Sequence, residues 1–434
     1  MRDHSHHVQV SREQAIELIL GACQFSPDIE EVPIDQAIGR VLAKDAVAQM
    51  DMPNALTCGL DSVAVHWDDF AELDGGLPDT SSWERGRDWE FANTGVAMPE
   101  GFDTAIVIEN VVVSDDERHI ELLAAPSKRF AGTRPAGSVF HAGAVLVEAG
   151  MIITPLLAAH IASGNNAVVK VVVKPKVAFI PTGNELVPVG GEIPLGKNIE
   201  TNSLLMKGKI ENWGGEALLF PIVPDSPEAL EDALRRAAAE ADIVVLNAGS
   251  SKGSDDWSLE VLERIGEVLY HQTNHGPGHH SSCSVLDGTP IIGISGPPGG
   301  AAFTTDFYLR PAMQKYLGQD PWPTRVQVRL AEVFPAGGHP GAGKSSDAAA
   351  KPAGEMRPRE GGTFYGIKQV VLRSSDDGFV AAYPTSSSHP GPVEAETAGA
   401  YYAFKSGPGA QPPAVGDLIE VVLRPERRLS VPSK

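Results

Sequence analysis

At 434 residues the chain is too long for one hydrophobic core and implies roughly two to four domains. Its 42% hydrophobic and 21% charged residues suit a globular protein, while 45 Gly and 34 Pro beside 6% aromatics point to many turns and several small β units. A net charge of −21 opposes binding to nucleic acid or an anionic membrane, and Cys23, Cys58 and Cys283 are too scattered to frame disulfides or a structural zinc site.

The N-terminal stretch MRDHSHHVQVSREQ carries no apolar signal core, and the longest apolar candidate for a membrane span, Ile152 to Ile161, is broken by Pro155 and His160. A cytoplasmic protein without membrane contact is expected. Ser11 and Gln14 have capping-box spacing ahead of a helix whose apolar face is Ala15, Ile16, Ile19 and Leu20. A short helix and an extended segment follow through IDQAIGRVLAKDAVAQMDMP. From Pro53 to about Phe140, the runs SVAVHW, WEFANTG, TAIVIENVVVS and HIELLAA, separated by Gly, Pro and Asp, predict a small β domain. Thr154 as cap, Pro155 at the first helical position and Gly164 as stop then frame a helix over ITPLLAAHIASG.

The segment from Val171 to about Gly318 alternates strands (KVAFIPTG, EALLFPIV, DIVVLNAGSS, PIIGIS) with helices (TNSLLMKGKIENWGG, SPEALEDALRRAAAEA, DDWSLEVLERIG, GAAFTTDFYLRPAMQKYLG). That order predicts a parallel sheet covered on both faces, with ligands at the carboxyl ends of its strands. From Pro321 to Lys434 the strands TRVQVRLAEVF, TFYGIKQVVL, GFVAAYP and DLIEVVLRP predict a β-barrel. Between the first two lies Pro335 to Gly361, whose Gly, Ala, Pro, Ser and Lys bury too little apolar surface to offset ordering, so a flexible insertion is expected. It contains GGHPGAGKSSD, which has P-loop spacing from Gly338 to Lys344 and Ser345. A phosphate-binding loop must open a helix, and Pro352 stops any helix begun at Lys344, so no ATP site is expected here.

Three turns at the ends of the α/β strands are candidates for a phosphate-bearing ligand. PTGNEL places Asn184 and Glu185 just beyond a strand. NAGSSKGSDDW supplies Gly249 and Gly253 for close backbone approach, the hydroxyls of Ser250 and Ser251, and Asp255 and Asp256 opening a helix. SGPPGGAA sets Gly296, Gly299 and Gly300 before a helix N-terminus suited to an anion. The cluster HQTNHGPGHH offers His271, His275, His279 and His280, but Gly276, Pro277 and Gly278 break any helix that would align the rings on a metal, and anion contact or solvent exposure fits them better. Asp51 and Asp61 lie on loops in the β domain, where a carboxylate can hold magnesium, act as a base or simply form a turn.

The order and content of these segments resemble the molybdopterin molybdotransferase family, the MoeA and gephyrin E-domain group, over nearly the whole chain. LDSVAV resembles the family's MDGYAV, which puts Asp61 on its catalytic Asp; NTGVAMPEGFDTAIVIEN resembles MTGAPVPEGADAVV, which puts Thr94 and Gly95 on its ligand-binding pair and Glu109 on a matching acid. PTGNEL resembles STGDEL and maps Glu185, IETNSLLM resembles YDTNSYML and maps Thr201 and Asn202, and VPDSPEAL resembles VRDDPEAL and maps Asp225. NAGSSKGSDDW resembles SGGVSVGDYDY and maps Gly249, Ser250, Ser251, Gly253 and Asp256, while the SGPPGGAA turn with Gly296 matches the segment before the family's last α/β helix.

The resemblance implies a multidomain α/β plus β fold. Residues 1–47 and 141–173 would form a helical linker domain, 48–140 a small β domain, 174–320 a central three-layer α/β (MoCF/MogA-like) domain that binds molybdopterin, and 321–434 a C-terminal β-barrel with the insertion 335–361. It also implies a homodimer that inserts molybdate into adenylated molybdopterin and releases AMP, with Mg2+ at Asp61 and Glu185. A molybdoenzyme client or an adenylating partner protein would be its protein contact. The sequence departs from the family in its cationic motif: KPGKP reads GPGHH, with Gly276 and His279 at the lysine positions. In addition PGNP reads SGPP, and GED reads GSV with Val139 in place of an acid. A neutral His pulls less on phosphate than Lys. His279 therefore either takes over anion binding at the catalytic site, or the chain is a carrier of molybdopterin or finished cofactor, or a protein-interaction scaffold.

Overall fold

The computed structural model describes residues 9–247, 257–335, 363–375, 380–386, 392–406 and 411–424. The P-loop-like stretch 337–347 and the insertion 335–361, apart from Pro335, lie outside them. The chain divides into two units, one of residues 28–173 and one of residues 1–27 with 174–434.

In the larger unit a six-stranded sheet runs in the order Glu216–Leu219, Lys176–Pro181, Ile243–Asn247, Thr289–Ile294, Ser282–Leu286, Glu267–His271. The first four strands are parallel, as the alternating pattern predicts. The last two are antiparallel, so the sheet is mixed rather than wholly parallel. Those two strands, EVLYH and SCSVL, flank the Gly276–Gly278 break and are not among the strands expected from the sequence.

Side chains alternate across the sheet because successive residues of a strand face opposite ways. Val177, Phe179, Val245 and Ile292 belong to a core that includes Ala15, Ile16 and Ile19 of the helix Arg12–Ala22, Met206 and Ile210 of the helix Asn202–Asn212, and Phe303 and Phe307. Ala178, Ile180, Val244 and Ile291 pack instead with Leu230, Leu234, Val261 and Leu262 of the helices Pro227–Glu240 and Ser258–Ile265. The first helix carries the expected Ser11–Gln14 capping box, and it covers this sheet rather than joining the linker segment. The segment expected as one helix over 300–318 is α-helical at Pro298–Thr304, widens to a π turn at Thr305–Leu309, and resumes at Arg310–Tyr316.

The C-terminal strands close into a barrel: Phe364–Ser374 pairs with Val380–Pro384, that strand with Arg325–Leu330, then Leu418–Leu423, then Ala400–Ser406, which returns to Phe364–Ser374. A short strand of the α/β segment, His275–Gly276, adds in parallel at Tyr365–Gly366.

Polar side chains buried between the barrel and the helices of the sheet gather around one carboxylate. The Asp306 carboxylate, in the π turn, accepts from Lys209 Nζ through one oxygen and from Tyr401 OH through the other, the latter at 2.7 Å. Arg424 Nε lies 3.9 Å from Asp306 Oδ2, beyond hydrogen-bond reach but close enough for charge attraction, and its Nη1 donates to Ala395 O at 2.8 Å. His275 is buried and fully engaged: Nδ1 donates to Pro277 O at 3.1 Å and Nε2 accepts from the Tyr308 hydroxyl. Burial, and after it the nearby Arg12 charge, pushes the His275 pKa down to about 3, so the ring is neutral.

In the smaller unit Ile29–Pro33 pairs with Val168–Val172, and the helix Pro155–Ser163 has its expected Thr154 cap. The β region holds a three-stranded antiparallel sheet with Ser62–Val65 between Trp89–Ala92 and Thr104–Val107, around a core of Val63, Val65, Trp89 and Ile106.

Two outcomes follow. Asp306→Asn leaves Lys209 and Arg424 buried without a counter-charge and lowers unfolding free energy by about 3–5 kcal/mol, measured by denaturant titration. His275 titrates near the ordinary 6.5 when unfolded and near 3 when folded. Between those values the unfolded chain binds the extra proton, so His275 removes about 1.4 kcal/mol of stability per unit fall in pH. His275→Gln shows a correspondingly flatter loss of stability over that window in pH-dependent melting.

Candidate functional site

Strands Lys176–Pro181, Ile243–Asn247 and Thr289–Ile294 end side by side, with Pro181 opposite Asn247 and Asn247 opposite Ile294. Asn247 is buried and gathers the chain segments that leave this edge. Its backbone oxygen accepts from Thr182 N at 3.2 Å and Thr182 Oγ1 at 3.0 Å. Its Nδ2 donates to Ser295 O at 2.9 Å, and its Oδ1 accepts from Asn202 Nδ2 at 2.8 Å. Asn202 Nδ2 also donates to Gly296 O at 2.7 Å. Asn202 is the first residue of the helix Asn202–Asn212, whose leading amides and dipole favour an anion. Thr201 is exposed and does not cap that helix through its side chain; Glu200 Oε1 accepts from Ser203 N at 3.0 Å instead.

The PTGNEL turn is held from the neighbouring loop. Asn184 N donates to Asp225 Oδ2 at 2.9 Å, and Asp225 N donates back to Asn184 Oδ1 at 3.2 Å. The contacts of Asp225 thus latch a turn. Glu185 is exposed and its carboxylate folds over Gly183; a Cβ at Gly183 would sit 2.6 Å from Glu185 Oε2, and the backbone there has φ of +147°, so only glycine fits. Lys197 Nζ donates to Asn184 O at 2.5 Å, adding a cation to this turn.

His279 is partly exposed, with its ring centroid 3.7 Å from that of His280. At Gly276, the other position mapped to a lysine, a Cβ would lie 3.1 Å from Phe364 Cζ, so a side chain there requires that ring to give by a few tenths of an ångström. Gly249, Ser250, Ser251, Gly253 and Asp256 lie outside the described residues.

In the unit 28–173, the register Ser62↔Ala92 brings the ends of two strands together and sets Asp61 beside Thr94. Thr94 N and Thr94 Oγ1 each donate to Asp61 Oδ1 at 3.0 Å. These bonds, the backbone one first, lower the Asp61 pKa below the usual carboxylate value, so this exposed side chain stays ionised. Gly95 adopts φ of +76°, and its N–H donates to Cys58 O at 2.9 Å. Glu109 is exposed in a 3-10 turn, and Val139 is exposed as well.

The structure therefore brings together Asp61, Thr94 and Gly95 in one unit, and Asn202 with Gly296 in the other, where Asp225 reaches the Glu185 turn through Asn184. Among the described residues, no three His, Cys, Asp or Glu side chains converge to hold a metal. A magnesium ion bound through one or two carboxylates, water and ligand phosphates needs no such cluster. Asp61 suits that role, since its Oδ2 takes no hydrogen bond among the described residues. Reading the sequence missed Asn247 and Lys197. The signal for the former was a polar residue ending the apolar run IVVLN at a strand's carboxyl end; Lys197 sits in a polar loop with no comparable mark.

Residues 10–164 match the family model described as "MoeA N-terminal region (domain I and II)", and residues 178–315 match the one described as "Probable molybdopterin binding domain". A molybdopterin molybdenumtransferase of Haemophilus influenzae is 27% identical over 320 residues, 71% of this chain and 78% of that protein. One from Nostoc sp. is 27% identical over 322 residues, 70% of this chain and 73% of its own length. In fold, the chain is similar to the molybdopterin biosynthesis MoeA protein from Pyrococcus horikosii, with a TM-score of 0.72 at 24% identity, covering 96% of this chain and 99% of that one. With both family models matched in succession and the same fold in a MoeA structure, the chain belongs to the MoeA family.

Proposed function

We propose that the protein acts in molybdenum cofactor biosynthesis as a molybdopterin molybdenumtransferase, inserting molybdate into adenylated molybdopterin with release of AMP. The observation that carries this reading is the carboxyl edge of the sheet, within the segment that matches the molybdopterin binding domain. There Asn202, Asn247 and the Gly296 turn are tied together at a helix N-terminus suited to a phosphate. The names of the relatives support the same activity.

In this reading the Asn202 helix and the Gly296 turn bind and orient the phosphate-bearing pterin, with Thr201 at the same edge. Asp225 acts by fixing the turn that carries Glu185. The motif that holds Gly249, Ser250, Ser251, Gly253 and Asp256 is assigned to the same ligand from its resemblance to the family's. Asp61, kept ionised by Thr94, is the carboxylate that would hold Mg2+ in its unit, where the ion's chemistry is to neutralise charge on a ligand phosphate, and Glu185 is a separate candidate carboxylate in the other unit. Thr94 and Gly95 shape the loop facing Asp61. His279 supplies a partial positive charge where the family has lysine. A homodimer, and a molybdoenzyme client or adenylating partner protein, belong to the same proposal; sedimentation of the purified chain as a monomer would remove the dimer from it.

One observation favours a second reading, a carrier that binds molybdopterin without turnover. Gly276 brings no cation to the position of the family's first lysine, and a Cβ there would press on the Phe364 ring at 3.1 Å.

AMP release from adenylated molybdopterin, measured with magnesium and with or without molybdate, separates the two. Release that depends on molybdate is expected; tight pterin binding with no AMP formed would favour the carrier. Asp61→Asn is expected to slow release by about ten- to a hundredfold, the scale on which altering the groups around a bound metal acts. Thr94→Val removes one of the two bonds that favour the ionised Asp61. The Asp61 pKa then rises, and the acid limb of the pH–rate profile moves to higher pH, whereas Thr94→Ser leaves it in place.

A further inference from the structure

We propose that Asn247 is a positioning residue for ligand binding: it holds the Asn202 amide in one orientation and so makes Asn202 Oδ1 a fixed acceptor for an N–H or O–H group of the ligand. The proposal deepens the pterin reading above and rests on it for the ligand's identity.

An Asn side chain carries two amide hydrogens and one carbonyl oxygen. In Asn202 the amide nitrogen donates to Asn247 Oδ1 at 2.8 Å and to Gly296 O at 2.7 Å. Turning the amide over would set its oxygen against two acceptors, so the network dictates the orientation. The oxygen is then left over. Asn202 Oδ1 is buried and accepts no hydrogen bond among the described residues, although the residue is only 5% exposed. Buried acceptors are nearly always met, and an unmet one at a ligand edge marks where a donor belongs.

Asn247 is itself 4% exposed, and its engaged atoms all face protein: Oδ1 toward Asn202, Nδ2 toward Ser295 O, and the backbone oxygen toward Thr182. It therefore acts through Asn202 and through the turn before Gly296. The side chain at 247 must accept from Asn202 and donate to Ser295 at once. An amide of this length does both; Asp lacks the donor, and Ala lacks both. The matching ligand chemistry is a flat heterocycle with an amino or ring N–H edge, which a pterin presents.

The test is a double-mutant cycle on the full-length protein with Asn247→Ala, Asn202→Ala and the double variant. The readouts are Kd for adenylated molybdopterin, the KM and kcat of AMP release, and hydrogen exchange at the backbone amides of residues 203–206. Each single variant is expected to weaken binding about tenfold, and the double variant no more than either single one, because the two side chains form one device. KM rises by more than kcat falls, and in Asn247→Ala exchange at 203–206 quickens without ligand. Additive losses, or Asn247→Ala with wild-type Kd, would overturn the proposal. Should Asn247→Ala fail to fold, Asn202→Ala decides alone: unchanged affinity overturns the acceptor role. Should the wild-type chain bind no pterin, the functional reading falls, and the exchange at 203–206 still decides the clamp, faster exchange supporting it and unchanged exchange overturning it.

Discussion

A carboxylate buried between a helical layer and a barrel has to find positive charge and hydrogen-bond donors there, and Asp306 finds them on several elements at once. Lys209 comes from the helix that begins at Asn202, Tyr401 and Arg424 come from the barrel, and Asp306 itself sits in the π turn of the helix that follows Gly296. The two helices whose N-termini flank the candidate ligand edge are thus pinned to each other and to the barrel by one charge. Desolvation makes such a cluster a poor source of net stability, but it makes loss of any one member costly, which fixes the arrangement.

That pinning places the Asn202 helix and the Gly296 turn within reach of the same side chain, Asn247. Parallel strands end together at one edge of the sheet, so the loops that leave them are close by construction. Asn247 converts that proximity into defined geometry. The polar contacts at this edge join backbone to side chain as well as amide to amide, and a single altered residue type at 247 would break more than one of them.

In the unit 28–173 the same logic works at smaller scale. Pairing of Ser62 with Ala92 delivers the Asp61 and Thr94 loops to one another, and two donors on one carboxylate oxygen keep it ionised while leaving the other oxygen exposed. The altered cationic motif has a structural counterpart. Gly276 lies in a strand that joins the barrel beside Tyr365, where Phe364 limits side-chain volume, and His275 before it is spent on Pro277 and Tyr308. This run of histidines contributes one ring to the core and leaves His279 and His280 partly exposed, their tilted rings 3.7 Å apart at the centroids.

Periodicity, caps and turn residues are local, so the sequence by itself determined the α/β alternation, the Ser11 and Thr154 caps and strands of the C-terminal barrel among the described residues. The collinear motifs also disclosed the family. Tertiary structure alone decided which distant residues meet: Lys209 with Asp306 across 97 positions, Asn202 with Asn247 across 45, and the first helix with a sheet that begins at Lys176. It also decided that the strands Glu267–His271 and Ser282–Leu286 extend the sheet antiparallel, and that Asn247 ties together the segments leaving the carboxyl edge of the sheet. No local pattern encodes these pairings, because burial and hydrogen-bond satisfaction are settled only when the layers close.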